Sequence, residues 1–198
     1  VNTYRTMRVL ERAGAAAIQI EDQVFPKKCG HFTGKAIVPA SEMIGKIKAA
    51  VDARRGDTLV IARTDALAIE GVEAALDRAH AFVGAGADMT FVEAPVDEAQ
   101  MARIAKLPVP QVANVVFGGK TPELGQARLA ELGFSLVFYA NATLQTAVKS
   151  GQDVLAALKR DGSLVNVADR LAGFEERQRA VAKPYWDAIE KRYRSDEP

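Results

Sequence analysis

The run Lys27-Lys28-Cys29-Gly30-His31 carries the only cysteine of the chain and one of its two histidines. Two acids, Glu21 and Asp22, stand shortly before it, and Gly34 follows it. A thiol flanked by lysines and a histidine can exchange between thiol and thiolate, which suits a group that delivers a proton to carbon. The competing reading is a buried structural cysteine, a common fate of a lone thiol; the two preceding lysines argue against burial. Gly30 lets the loop turn tightly over a bound molecule. The segment His31-Phe32-Thr33-Gly34-Lys35 fits a mobile lid. His31 is placed to hydrogen-bond a ligand or to orient the loop, and Lys28 either stabilises charge on the loop or touches the ligand. His80 lies in a helical run and is assigned packing alone.

More polar residues follow short apolar runs. Residues 15–20 lead into Glu21 and Asp22, 58–62 into Arg63, Thr64 and Asp65, and 88–92 into Glu93. Residues 110–113 lead into Asn114, and 135–140 into Asn141. Asp65, Asp97 and Asn141 are accounted for as caps of following helices. Arg63, Glu93 and Asn114 are not, because they come directly off apolar strands, where an isolated charge is costly. Arg63 has the planar fork that clamps a carboxylate or an oxyanion. Asn114 can donate to a carboxylate. Glu93 can pair with Arg63 or stand behind a metal ion, with a structural salt bridge as the alternative.

These residues need a scaffold that brings strand ends together. Strands are expected at 15–20, 58–63, 88–93, 110–115 and 135–140, each apolar on both faces, as in a covered parallel sheet. Helical segments fill 2–13, 40–54, 70–85, 97–106, 122–132 and 141–160. Gly14, Gly56, Gly86 and Gly133 are expected to close helices. The residues beyond 164 form a charged helical extension in which Pro184 breaks or starts a helix. Its apolar side, with Phe174, Val181, Tyr185, Trp186 and Ile189, must pack on the barrel exterior or on another subunit. At 198 residues, 48% apolar and 26% charged, the chain suits one domain, 1–198, with a substantial core. The net charge of +1 comes without a basic stripe, so neither nucleic acid nor membrane is an expected partner. One cysteine forms no internal disulfide, which makes a reducing cytoplasm the expected compartment.

A polar residue after each of five strands is the pattern of a (β/α)8 barrel, whose strand ends share one mouth. Five strands do not close such a barrel. Either the sheet is open and doubly wound, or about three strands precede Val1. The chain opens in the middle of an amphipathic helix without Met, which favours the second alternative and an incomplete TIM barrel.

Four ordered segments, "IEDQVFPKKCGHFTGKAIV", "IARTDALAIEG", "GADMTFVEAP" and "VANVVFGGKTP", resemble the isocitrate lyase/phosphoenolpyruvate mutase superfamily. The short-chain lyases that cleave methylisocitrate or dimethylmalate, and the relatives acting on oxaloacetate, look most alike. The resemblance runs from residue 1 to about 190. It implies a (β/α)8 barrel with a helix exchanged between subunits, a homo-oligomer that is a tetramer in many members, and Mg2+, or Mn2+ in its place. By resemblance Glu21 is a metal-site glutamate, with further aspartates supplied by strands upstream of this segment, and Cys29 protonates the departing enolate. One position departs from the family pattern: Phe117 stands where an acid is usual.

The resemblance implies a Mg2+-dependent C–C lyase acting on a small 2-hydroxy or 2-oxo carboxylate and releasing pyruvate or a related oxo acid. The catalytic set is Cys29, His31, Arg63 and Lys28; Gly30, Arg63, Glu93 and Asn114 contact substrate, and Glu21 the metal. Two rivals stand beside it. One is decarboxylation or hydrolysis of oxaloacetate, or phosphonomutase-like chemistry, in the same superfamily. The other is a non-catalytic fragment acting in assembly.

Overall fold

The structure is a computed structural model and describes residues 1–194. It divides into two compact units, Val1–Ala142 and a second beginning at Thr143.

In the first unit helices and strands alternate. Helix α1 (Asn2–Arg12) precedes β1 (Ala17–Glu21), α2 (Ala40–Ala53) and β2 (Leu59–Thr64). The short α3 (Leu67–Glu70), α4 (Val72–Gly84), β3 (Met89–Val92) and α5 (Glu98–Ile104) follow. Then come β4 (Gln111–Val116), α6 (Gly125–Leu132) and β5 (Phe134–Ala140). The strands pair in parallel in the order β1-β2-β3-β4-β5. That order decides between the two architectures. A doubly wound sheet reverses its strand order at a switch point. Here each strand is added on the same side, and right-handed crossovers put every connecting helix on one face. Such a sheet curls around its other face, so the five strands form the half barrel expected from the sequence.

Burial follows the strand period of two. Val60 and Ala62 of β2 pack with Met43, Ile47 and Phe82 of α2 and α4 on the outer, helix-covered face. Val92, Ala113 and Val115 pack there with Met101, Ile104 and Leu129. The alternate residues Ile61, Met89, Phe91 and Val112 form a separate cluster on the inner face, with Leu136 against it. Register then carries polar side chains to that same inner face: Glu21 pairs with Arg63, Arg63 with Phe91 and Asn114 with Phe138.

Local details amend the sequence expectations. The helix expected over 70–85 is α4, which begins at Val72 after Gly71 (φ 88°) parts it from the short α3. Gly133 closes α6 in the left-handed conformation, whereas Gly56 closes nothing: α2 ends at Ala53, and the Gly56 amide donates to Glu11. Helix α6 starts at Gly125 rather than at residue 122. Asp97 does cap α5, accepting from the Gln100 amide at 2.7 Å.

The second unit holds the body of α7 (Ala142–Asp161), a 3-10 turn (Val165–Arg170), α8 (Phe174–Ala180) and α9 (Lys183–Tyr193). Pro184 lies in the first turn of α9, where its missing N–H costs nothing. Phe174, Val181, Tyr185 and Trp186 are exposed.

Candidate active site

Four of the five strands deliver a polar inner-face group at or near their C-terminal ends. Glu21 closes β1, Arg63 lies near the end of β2, Glu93 directly follows β3, and Asn114 sits within β4. Arg63 joins them. Its Nε donates to Asp65 Oδ2 at 2.9 Å and lies 3.3 Å from Glu21 Oε2. Its Nη2 donates to Asp65 Oδ1 at 3.3 Å, and Nη1 stands 3.6 Å from Glu93 Oε2. The guanidinium also lies over the Phe91 ring, 4.9 Å from its centroid. Asn114 Nδ2 reaches both Glu93 oxygens at 3.4 and 3.5 Å. The groups singled out at four strand ends therefore form one connected cluster.

The thiol loop closes over this cluster. Its base is pinned by the bridge between Gln23 and Ile37 and by the Val24 amide donating to Ala36 at 2.8 Å. The Gln23 amide brackets Lys28 through the backbone, donating to its carbonyl and accepting from its N–H, both at 2.9 Å. Gly30 is buried directly on Glu93: a β-carbon there would fall 2.1 Å from Glu93 Oε1. His31 Nδ1 accepts from the Lys120 backbone N–H at 3.0 Å. His31 Nε2 is buried 3.5 Å from Glu93 Oε1 without a hydrogen bond among the described residues. Gly119 is packed against the same imidazole. Cys29 is exposed, which removes the buried-structural reading. The Lys28 ammonium donates to the Gly34 carbonyl at 2.7 Å, within its own loop. Lys27 lies 3.4 Å from Glu21 Oε2.

Burial and charge set the protonation of the acids. Burial pushes the Glu93 carboxyl above the ordinary glutamate range, and Arg63, His31 and Asn114 do not fully offset it. For Asp65, burial pushes upward too, but Arg63 and Lys35 outweigh it and hold the carboxyl below the ordinary range. Burial also raises Asp22, against the pull of the Asp65 N–H, the Thr64 hydroxyl and Arg78. Burial works against the charge of Arg63, yet Asp65, Glu93 and Glu21 together keep its pKa raised.

Two residues of this cluster escape a reading of the sequence alone. Asp65 does not cap a helix; it is fully buried and serves as the anion between Arg63 and Lys35. Its spacing of two from Arg63 on an extended segment was the available signal, since alternate residues share a face. Lys35 gave no signal, because only folding brings residue 35 to residue 65.

Beside the cluster lies an open cleft of about 460 Å3, lined among others by Arg63, Phe91, Asn114, Phe138 and Tyr139. Asn114 Oδ1 and Thr121 Oγ1 are buried without partners among the described residues, a sign of groups that await a ligand or water. The fit to a divalent cation is limited. Glu21 presents a partly exposed carboxylate on the inner rim, but among the described residues no group of three or more His, Cys, Asp and Glu could hold an ion. One carboxylate suits one ligand position of a magnesium ion that keeps waters; it is not a complete centre.

A parallel half barrel with its polar groups gathered at the strand ends, under a thiol-bearing loop, defines the class of protein. Residues 2–159 match the family model for phosphoenolpyruvate phosphomutase, and the chain belongs to that family, within the phosphoenolpyruvate mutase/isocitrate lyase superfamily. It is 47% identical over 178 residues to a 2,3-dimethylmalate lyase of Eubacterium barkeri, covering 89% of this chain and 62% of that relative. It is 44% identical over 172 residues to a 2-methylisocitrate lyase of Aeropyrum pernix, covering 86% of this chain and 56% of that one. The chain thus spans about 60% of the length of these curated relatives. Among solved structures, a phosphonopyruvate hydrolase in complex with oxalate and Mg2+ superposes with a TM-score of 0.79 at 32% identity, covering 97% of this chain and 68% of that one.

Proposed function

We propose that this chain carries the thiol loop and carboxylate-binding half of a C–C lyase that cleaves a small substituted 2-hydroxy acid, methylisocitrate-like or dimethylmalate-like, to pyruvate or a related oxo acid. The observation that supports it most is the seating of Gly30 of the thiol loop directly on Glu93, inside the Arg63 and Asn114 cluster. The lyase names of the 47% and 44% identical relatives point the same way.

In this reading the substrate carboxylate lies in the cleft, held by Arg63 Nη1, which has no hydrogen bond among the described residues, and by Asn114. Arg63 stays aimed because Asp65 holds its other edge. The substrate hydroxyl gives its proton to Glu93, whose burial raises its proton affinity. The C–C bond then breaks as the hydroxyl carbon becomes a carbonyl, and its electron pair leaves with the second fragment as an enolate-type carbanion. The Cys29 thiol protonates that carbon; after product leaves, Glu93 gives up the proton it took and the thiolate recovers one from solvent, to which it is exposed. His31 holds the loop against the rim, and Lys28 braces it through Gly34. Mg2+, or Mn2+, with Glu21 as one ligand, would supply positive charge opposite the developing enolate. The proposal extends to a reducing, cytoplasmic setting, required by an exposed working thiol. It also extends to a homo-oligomer, supported by the exposed aromatic residues of α8 and α9.

The full gene product should release pyruvate from a substituted malate or methylisocitrate, lose that activity on chelation, and lose nearly all of it in Cys29→Ser. Pyruvate, oxalate and CO2 are assayed separately. Oxalate or CO2 from oxaloacetate, or phosphate from phosphonopyruvate, without any lyase product would replace this reading with the hydrolytic or decarboxylating one, which the oxalate-bound structural relative favours. No turnover in any assay would leave the assembly reading.

A further inference from the structure

Lys35 is a lysine with almost no exposure: its side chain is 2% accessible, and its carboxylate partner Asp65 is wholly buried. Its ammonium donates to the carbonyl of Gly30 and, at 2.7 Å, to Asp65 Oδ1. The first contact holds the tip of the thiol loop, one residue from Cys29. The second reaches the carboxylate that orients Arg63. Lys35 itself stands on the returning limb of the loop, just before the bridge at Ile37. One cation therefore ties together both limbs of the loop and the strand that carries the guanidinium.

We propose that Lys35 is a positioning residue that latches the Cys29 loop over Glu93 and couples its closure to the setting of Arg63. A charge is needed because the latch works away from water. There an ammonium bonded to a carboxylate holds far better than a neutral donor, and an unpaired Asp65 oxygen would be costly. The other tethers do not duplicate it. Gln23 holds Lys28, before the thiol, and the Lys120 N–H holds His31, after it; among the described residues Lys35 alone both grips Gly30 and reaches Asp65. Asp65 accepts from both cations, so a ligand that draws Arg63 forward loosens or tightens the loop through the same carboxylate. The coupling rests on the lyase reading for its purpose, while the latch itself does not.

The test compares wild type, Lys35→Met and Lys35→Arg as full gene products, by amide hydrogen exchange and by kinetics on the lyase substrate. The Phe32 N–H, bonded to the Cys29 carbonyl at 2.9 Å, reports the loop, and α2 amides report the fold. In Lys35→Met, Phe32 exchange should rise roughly tenfold, the factor a lost hydrogen bond to a charged group carries, with α2 unchanged. Turnover should fall about tenfold or more with little change in KM, and Lys35→Arg should recover much of both. Unchanged Phe32 exchange in a folded Lys35→Met overturns the latch. If Lys35→Met loses α2 protection, the wild type decides: Phe32 exchanging at the rate of an open loop overturns the proposal, and clear protection supports it. Faster loop exchange with no turnover in the wild type keeps the latch and refutes the lyase reading instead.

Discussion

Gly30 and Glu93 are in such close contact that a β-carbon on Gly30 would meet Oε1, Cδ and Cγ of the glutamate, all within 2.5 Å. The requirement at position 30 is thus one of space. Glu93 is 1% exposed and hemmed by Arg63, His31 and Asn114, so it cannot swing aside. In Gly30→Ala the loop must lift. Turnover should drop about a hundredfold, as a misplacement near 1 Å does, while the melting temperature stays close to wild type because the loop is outside the core. Steady-state kinetics beside a melting curve separates the two. Wild-type turnover in Gly30→Ala would mean that the loop does not need this seat.

Asp65 neutralises two buried cations, so removing its charge should hurt stability more than any surface pair would. Asp65→Asn is expected to cost about 3 kcal/mol at neutral pH in urea unfolding. Because its folded-state pKa is lowered, the contribution of Asp65 is present above the ordinary value of 3.8 and fades as the pH falls through the folded one. The gap between wild type and Asp65→Asn should therefore narrow only in strong acid.

Glu93 runs the other way. Its folded-state pKa is raised, chiefly by burial, so its contribution is complete below the ordinary 4.5 and is lost as pH rises through the folded value. Glu93→Gln cannot titrate there. Its stability relative to wild type should climb with pH across that window, even as activity disappears. A difference in urea midpoint that stays flat from acid to neutral pH would contradict the raised value.

Asn114 should separate binding from folding. Its bonds to Glu93 are long and its Oδ1 has no protein partner among the described residues. Asn114→Ala should barely shift the unfolding midpoint but weaken substrate binding by about 1.5 kcal/mol, roughly tenfold in KM. Substrate titrations read this directly.

The outer face shows ordinary core behaviour. Phe82 is fully buried among Met43, Ile47 and Ala62, and Phe82→Ala should cost about 4 kcal/mol in urea unfolding. A loss under 1 kcal/mol would mean that α4 repacks freely on the sheet.

The five strands were legible because covered parallel strands read as short apolar runs and because a polar residue stands at or near the end of each. Those polar ends also marked Glu21, Arg63, Glu93 and Asn114, since a charged group directly off such a strand needs a reason. The motif around Cys29 placed a thiol, two lysines and a histidine on one loop. All of this is local, and local chemistry is written in spacing. The sequence favoured an incomplete barrel over an open, doubly wound sheet, and the sequential pairing β1 to β5 bears that out. The sequence misassigned Asp65 as a helix cap and was silent on Lys35. A carboxylate between Arg63 and Lys35 depends on a contact across thirty residues, and no periodicity encodes which distant cation a buried acid will meet. That choice is made when the loop folds down and desolvation forces each charge to find its partner.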